Sequence, residues 1–162
     1  MKEVILAQKA GFCFGVKRAV EMALSTQKKH NKKIYTLGEL IHNNDVVRKL
    51  KGNDIYPIET CDVEKLKKND VILIRSHGIS KKIYDMLISK ELIVVDATCP
   101  FVSKIHEKVK KYSKLGYDIV IVGDKSHPEV IGINGWCDNK AVISKQGEGL
   151  ENIGSKVCIV SQ

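Results

Sequence analysis

Two cysteines, three histidines and one glutamate carry the chemistry this sequence can do, and they lie in short segments far apart along 162 residues. Cys13 sits in Gly11-Phe12-Cys13-Phe14-Gly15 and Cys99 in Asp96-Ala97-Thr98-Cys99-Pro100. Each is expected to follow a short strand and to open an amphipathic helix, as if the two were equivalents in an internal repeat. A thiol at a helix N-terminus feels the positive end of the dipole, which lowers its pKa and favours the thiolate needed for metal ligation or nucleophilic attack. Cys13 taken alone reads equally as a small buried apolar residue, and the flanking Gly11 and Gly15, which permit a tight backbone around the sulfur, favour the chemical role. Pro100 suits a first helical position.

His42, His77 and His127 fall in the loops Ile41-His42-Asn43-Asn44, Ser76-His77-Gly78 and Ser126-His127-Pro128-Glu129. Brought together they would make a donor-rich, partly cationic pocket suited to a phosphate or diphosphate. Glu129 is the acidic residue that accompanies one of them. It serves either as a first-turn glutamate complementing a helix dipole or, in a water-poor cleft, as a proton donor. His30, in a lysine run, and His106, on the helix after Cys99, read as structural. So do Cys61, Cys137 and Cys158, the last inside an apolar run.

These loops need a scaffold that collects them at one edge. Apolar runs recur at Val4 to Ala7, Ile34 to Leu37, Ile55 to Ile58, Val71 to Ile74, Leu92 to Val95, Ile119 to Val122, Ala141 to Ile143 and Val157 to Val160. They are near-continuous rather than alternating, the pattern of strands covered on both faces in parallel sheets. Helical spacing separates them, at Val16, Ala19, Val20, Ala23 and Leu24 and again at Val102, Ile105, Val109 and Tyr112, with Gly116 as a C-terminal cap. The fold predicted is α/β: consecutive Rossmann-like βα units with mainly parallel sheets and right-handed crossovers. Residues 1–100 form a first α/β domain and 101–162 a second, incomplete one. In such folds ligands bind at the carboxyl ends of the strands, where the candidate residues fall.

Composition narrows the partners. The net charge of +8 favours anions, but 24 of the 27 basic residues are lysines and aromatics are only 6%, so the lysine runs read as solvated helix faces and not as a nucleic-acid stripe. No run of eighteen apolar residues exists to span a bilayer, and a cytoplasmic location is expected. Five cysteines, an odd number without a secretion signal or a Cys-x-x-Cys, argue against a disulfide framework and leave any metal site to be assembled from distant segments.

Five motifs in order then carry a resemblance. Gly11-Phe12-Cys13-x-Gly15-Val16-x-Arg18-Ala19-Val20, His42-Asn43-x-x-Val46-Val47-x-x-Leu50, Ser76-His77-Gly78-Ile79-Ser80, Asp96-Ala97-Thr98-Cys99-Pro100-x-Val102-x-Lys104-Ile105-His106 and His127-Pro128-Glu129-Val130-x-Gly132 resemble the 4-hydroxy-3-methylbut-2-enyl diphosphate reductases, the LytB or IspH family. The resemblance implies reductive dehydroxylation of that allylic diphosphate to isopentenyl and dimethylallyl diphosphate, the last step of the non-mevalonate isoprenoid pathway. It implies a 4Fe-4S cluster with Cys13 and Cys99 as two of three ligands, and a ferredoxin or flavodoxin as electron donor. His42, His77 and His127 would contact the diphosphate and Glu129 would deliver a proton. It also implies three pseudo-symmetric α/β domains, of which this chain covers the first and most of the second. The third cysteine, a threonine pair and a serine-asparagine segment would lie beyond Gln162, so the chain is expected to be an N-terminal fragment. The alternative is a truncated, non-enzymatic relative that acts as a diphosphate- or metal-binding module.

Overall fold

The computed structural model describes residues 3–8, 10–41 and 43–162. The first sheet is built from β1 (Ile34–Leu37), β2 (Ile55–Ile58), β3 (Val71–Ile74) and β4 (Ile93–Asp96), in the order β2-β1-β3-β4. The second contains β5 (Asp118–Val122), β6 (Val142–Ser144) and β7 (Val157–Ser161), in the order β6-β5-β7. Every pairing is parallel, with Ile34 opposite both Ile55 and Val71, and Val120 opposite both Val142 and Ile159. The first three strands of each sheet thus follow one plan: the chain steps from a central strand to one neighbour, then crosses back to the other side.

β3 explains why the sequence reads as a continuous apolar run. All four of its residues are buried; Val71 and Leu73 pack with Ala19, Ala23, Leu50 and Ala97, while Ile72 and Ile74 pack on the opposite face with Val63, Leu87 and Leu92. A strand covered on both faces has no polar side to show. Helix α1 (Phe14–His30) reaches the sheet through small residues, burying Gly15, Ala19, Ala23 and Thr26 as one stripe. It ends at Asn31, whose left-handed backbone donates its N–H to the Gln27 carbonyl, after a last turn of Lys28, Lys29 and His30 that complements the dipole. Helix α2 (Asn44–Lys51) starts on Asn43, whose side chain accepts from the Asp45 and Val46 amides. Helix α3 (Lys81–Ser89) starts on Ser80.

Helix α4 (Pro100–Lys114) has Pro100 in its first turn and passes into the second sheet, where Val109 joins Ile119, Ile121, Val130, Ile133 and Val160 in a third core. Gly116, with φ of +74°, supplies the left-handed residue just past its end. Helix α5 (Pro128–Asn134) follows β5 and runs into a 3₁₀ turn, Gly135–Cys137.

One expected strand does not form. Residues 4–7 have no strand partner, and Val4, Ile5 and Leu6 are 83–86% exposed. An apolar run becomes a strand only where a neighbouring edge takes up its N–H and C=O groups, and none of the described strands pairs with it. Cys13 therefore opens a helix without following a strand, and Cys99 alone fits the strand-to-helix pattern. No helix among the described residues is long and apolar enough to cross a membrane.

Candidate active site

In a sheet ordered β2-β1-β3-β4 the crossovers diverge between β1 and β3, opening a crevice at the carboxyl ends of those strands. The loop after β3 fills one side of it. Gly78, with φ of +72°, closes a turn by donating its N–H to the Arg75 carbonyl at 3.0 Å, and this turn presents His77. His77 and Ser76 line a hollow of about 250 Å³ together with Phe12, Val16, Ile41 and Asn43. That hollow joins the start of α1 to the loops after β1 and β3. His42 lies outside the described residues. Larger hollows exist, of about 430 Å³ beside Arg75 and about 590 Å³ beside β7, but neither is lined by Cys13, Cys99, His77 or His127.

The two cysteines cap neighbouring helices. Cys13 is the residue before α1 and is exposed; Cys99 is the residue before α4 and is partly buried. Neither side chain caps its own helix, so neither sulfur is engaged by the helix amides at whose positive end it sits. Gly15, two residues after Cys13, lies against Cys99: a Cβ there would stand 2.8 Å from the Cys99 sulfur and 3.2 Å from its Cβ. The approach is held from both sides. The Cys99 N–H donates to the Ser76 carbonyl at 2.9 Å, and Arg18 of α1 donates to the Thr98 carbonyl at 3.0 Å. Thr98 in turn donates its N–H to the Asp96 carboxylate at 2.8 Å.

Gly15→Ala should therefore part the two helix starts. The added methyl meets a side chain that is itself tied to the β3 loop, an overpacking that costs about 1–3 kcal/mol. Urea unfolding of the variant against the parent chain measures it; an unchanged midpoint would contradict the close approach.

The loop after β5 brings the third group. His127 precedes α5, and its Nδ1 accepts the Glu129 N–H at 3.2 Å. That nitrogen carries no proton, so in the neutral ring the proton is on Nε2, which is left as a donor. The His127 and His77 rings meet edge to face, with centroids 5.6 Å apart and planes at 86°. Glu129 is half-buried. Burial pushes its pKa up, against the opposing pull of His127, so its carboxyl holds a proton more readily than an exposed glutamate.

The sign of this shift gives a stability test. A carboxyl whose pKa is higher folded than unfolded makes the protein most stable below its ordinary value of 4.5. Stability then falls as pH rises through 4.5 to the raised folded value, and stays lower above it. Glu129→Gln removes that fall, so thermal unfolding should show the variant gaining on the parent at pH 7 relative to pH 4.

The structure thus brings the start of α1, which follows Cys13, against Cys99, and His77 against His127, with Glu129 tied to His127. Among the described residues no three His, Cys, Asp or Glu side chains stand close enough to hold a metal ion by themselves. Arg18 and Arg75 were given no role from sequence, yet both organise these loops; Arg75 is packed against Gly38, where a Cβ would lie 2.7 Å from its guanidinium. Their scarcity was the available signal, since only three of the 27 basic residues are arginines.

Residues 4–162 match the model of the LytB protein family. The chain belongs to the LytB family. Its LytB relatives include the 4-hydroxy-3-methylbut-2-enyl diphosphate reductase of Clostridium acetobutylicum, 77% identical over all of this chain but only 26% of that protein. The reductase of the same name from Clostridium perfringens is 60% identical over 99% of this chain and 57% of its own length. A solved structure of (E)-4-hydroxy-3-methyl-but-2-enyl diphosphate reductase, described as the terminal enzyme of the non-mevalonate pathway, superposes with a TM-score of 0.85 at 42% identity, covering all of this chain and 58% of its own. The Plasmodium falciparum E-1-hydroxy-2-methyl-but-2-enyl-4-diphosphate reductase does so at 0.88 and 32% identity, over 96% of this chain and 49% of its own. The chain therefore spans between a quarter and about three-fifths of these LytB proteins.

Proposed function

We propose that this chain supplies the first two α/β domains, residues 1–100 and 101–162, of a reductase that removes the hydroxyl of 4-hydroxy-3-methylbut-2-enyl diphosphate. A third α/β domain outside these residues completes the site. Two electrons and two protons enter; the allylic C–O bond breaks, its oxygen leaves as water, and a C–H bond forms in isopentenyl or dimethylallyl diphosphate. The observation that carries this reading is the seating of the start of α1 against the Cys99 sulfur, beside the β3 loop whose His77 ring meets that of His127 next to Glu129, on a chain of the LytB family.

Cys13 and Cys99 fit two thirds of a three-thiolate set for a 4Fe-4S cluster. Both sulfurs stand at helix starts without a capping hydrogen bond, and Gly15 lets the start of α1 approach Cys99. When bound, that cluster supplies electrons and a Lewis-acidic iron to the substrate hydroxyl. The protein's own residues do the rest. His77 and His127 bind the diphosphate through ring N–H groups, the latter through Nε2, because Nδ1 is occupied by the Glu129 amide. His42 is assigned to the same task by the family resemblance. Glu129, whose pKa burial pushes up, delivers a proton to the allyl group. The net charge of +8 draws in the anion. A cytoplasmic ferredoxin or flavodoxin donates the electrons.

Complementation tests this. A gene encoding these residues, extended to the length of the Clostridium perfringens relatives, should sustain growth of a bacterium depleted of its own reductase. Accumulation of the polypeptide without growth would contradict the proposal, and diphosphate binding without iron would favour a non-enzymatic module.

A further inference from the structure

Arg18 lies one turn into α1, beside the stripe of Gly15, Ala19 and Ala23 that packs on the first sheet. Long side chains on a helix lean back toward its N-terminus. The guanidinium donates to the Thr98 carbonyl at 3.0 Å, across 80 residues of sequence. That carbonyl carbon is bonded to the nitrogen of Cys99, so the guanidinium stands one peptide unit from the second cysteine.

The other hydrogen bonds of the Cys99 loop lead elsewhere. Ala97 donates its N–H to the Ile74 carbonyl at 3.0 Å and Cys99 to that of Ser76 at 2.9 Å, which anchors the loop to β3 and the residues after it. Thr98 gives both its N–H and its hydroxyl to the Asp96 carboxylate. Among the described residues the Arg18 bond is the one hydrogen bond that joins α1 to this loop. The contact of Gly15 with Cys99 stops the two from coming closer; the Arg18 bond stops them from parting.

The charge is a second observation. Arg18 forms no ion pair among the described residues, and the first turns of α1 and α4 hold no acidic residue. A tie to a neutral carbonyl needs a donor but not a charge. The guanidinium, which does not lose its proton in proteins, therefore leaves a positive charge beside cysteines that are anionic when they hold a metal.

We infer that Arg18 is a positioning residue for the iron–sulfur site: it latches the Cys99 loop to the helix that Cys13 opens, and it sets a fixed positive charge beside the ligands. The effect of the charge rests on the proposed cluster-holding role of the two cysteines, whereas the latch belongs to the fold.

Two variants of the polypeptide extended to the length of the Clostridium perfringens relatives test it. Arg18→Gln is too short to reach Thr98 and carries no charge; Arg18→Lys keeps the charge and most of the reach. Both residues suit a helix. Hydrogen exchange is followed by mass spectrometry before iron is added, and the reduction potential is titrated after anaerobic reconstitution. In the Gln variant residues 97–99 should exchange about tenfold faster, the scale of losing a hydrogen bond from a charged donor, while β5 exchanges as in the parent. At a fixed poise its ratio of reduced to oxidised cluster should fall about tenfold, a one-electron shift of about 59 mV to lower potential, because the added electron has lost a neighbouring positive charge. The Lys variant should restore the parent's potential and most of its protection.

Parent-like exchange at residues 97–99 in the Gln variant would overturn the inference, as would faster exchange spread equally over β5. An unchanged potential in the Gln variant, or an equal fall in both variants, would overturn it too. Should the Gln variant not accumulate as folded protein, Arg18→Met, also uncharged, is read in the same way. A parent polypeptide that takes up no iron would count against the proposed function, and the exchange at residues 97–99 would then judge Arg18 alone.

Discussion

Cys99→Ser, in a polypeptide extended to the length of the Clostridium perfringens relatives, loses its iron and the visible absorbance of an iron–sulfur cluster after anaerobic reconstitution, and Cys13→Ser does the same. A serine hydroxyl is a far weaker acid than a thiol and a hard oxygen donor, so it is a poor substitute for a thiolate ligand. The position of Cys99 makes the loss specific. Its N–H is bonded to the Ser76 carbonyl and its sulfur rests on Gly15, so the serine variant keeps the backbone and the contact and changes only the donor atom. Cys61→Ser is the matched control, since Cys61 is exposed in the 3₁₀ turn Thr60–Lys65 and should retain full iron. Iron per polypeptide, measured by colorimetry, checks all three.

Glu129→Gln in the same extended polypeptide keeps the iron and loses turnover. The amide preserves the shape of the side chain and leaves the Glu129 N–H on His127, but it has no proton to give. Removing a positioned general acid lowers kcat by about 10²–10⁴-fold. KM should change little if, as proposed, the histidines bind the diphosphate. Steady-state assays with a chemical reductant separate the two constants, and a kcat within a factor of a few of the parent would remove Glu129 from the proton-delivery role.

Much of this site was legible in the sequence because the fold leaves short, informative punctuation. Runs such as Val71 to Ile74 read directly as strands buried on both faces, and the residues after them mark the edge where ligands bind. His77, His127 and Cys99 could be placed by that rule alone. Val4 to Ala7 misled, because apolar composition cannot reveal whether an edge exists to pair with it. That His77 and His127 share a pocket was expected, but the edge-to-face contact of their rings was not legible, since it depends on how α5 lies against the loop after β3. The enclosure of His106 was hidden for a related reason. Its neighbours are Gly78, Gly132 and Trp136, and a glycine that yields space to another segment looks in sequence like any other turn residue. Arg18 illustrates the converse. It sits among exposed lysines in the same helix, yet its bond to the Thr98 carbonyl spans 80 residues and ties the two cysteine-bearing helix starts together.

The central claim is that these residues form the larger part of an iron–sulfur site that reduces an allylic diphosphate. Single-turnover conversion measures it most directly: the extended polypeptide is reconstituted and reduced anaerobically, mixed with 4-hydroxy-3-methylbut-2-enyl diphosphate, and its products are identified. Isopentenyl and dimethylallyl diphosphate, formed in proportion to the iron bound and absent from the Cys99→Ser protein, are the expected result. A fully iron-loaded protein that returns the substrate unchanged would contradict the claim.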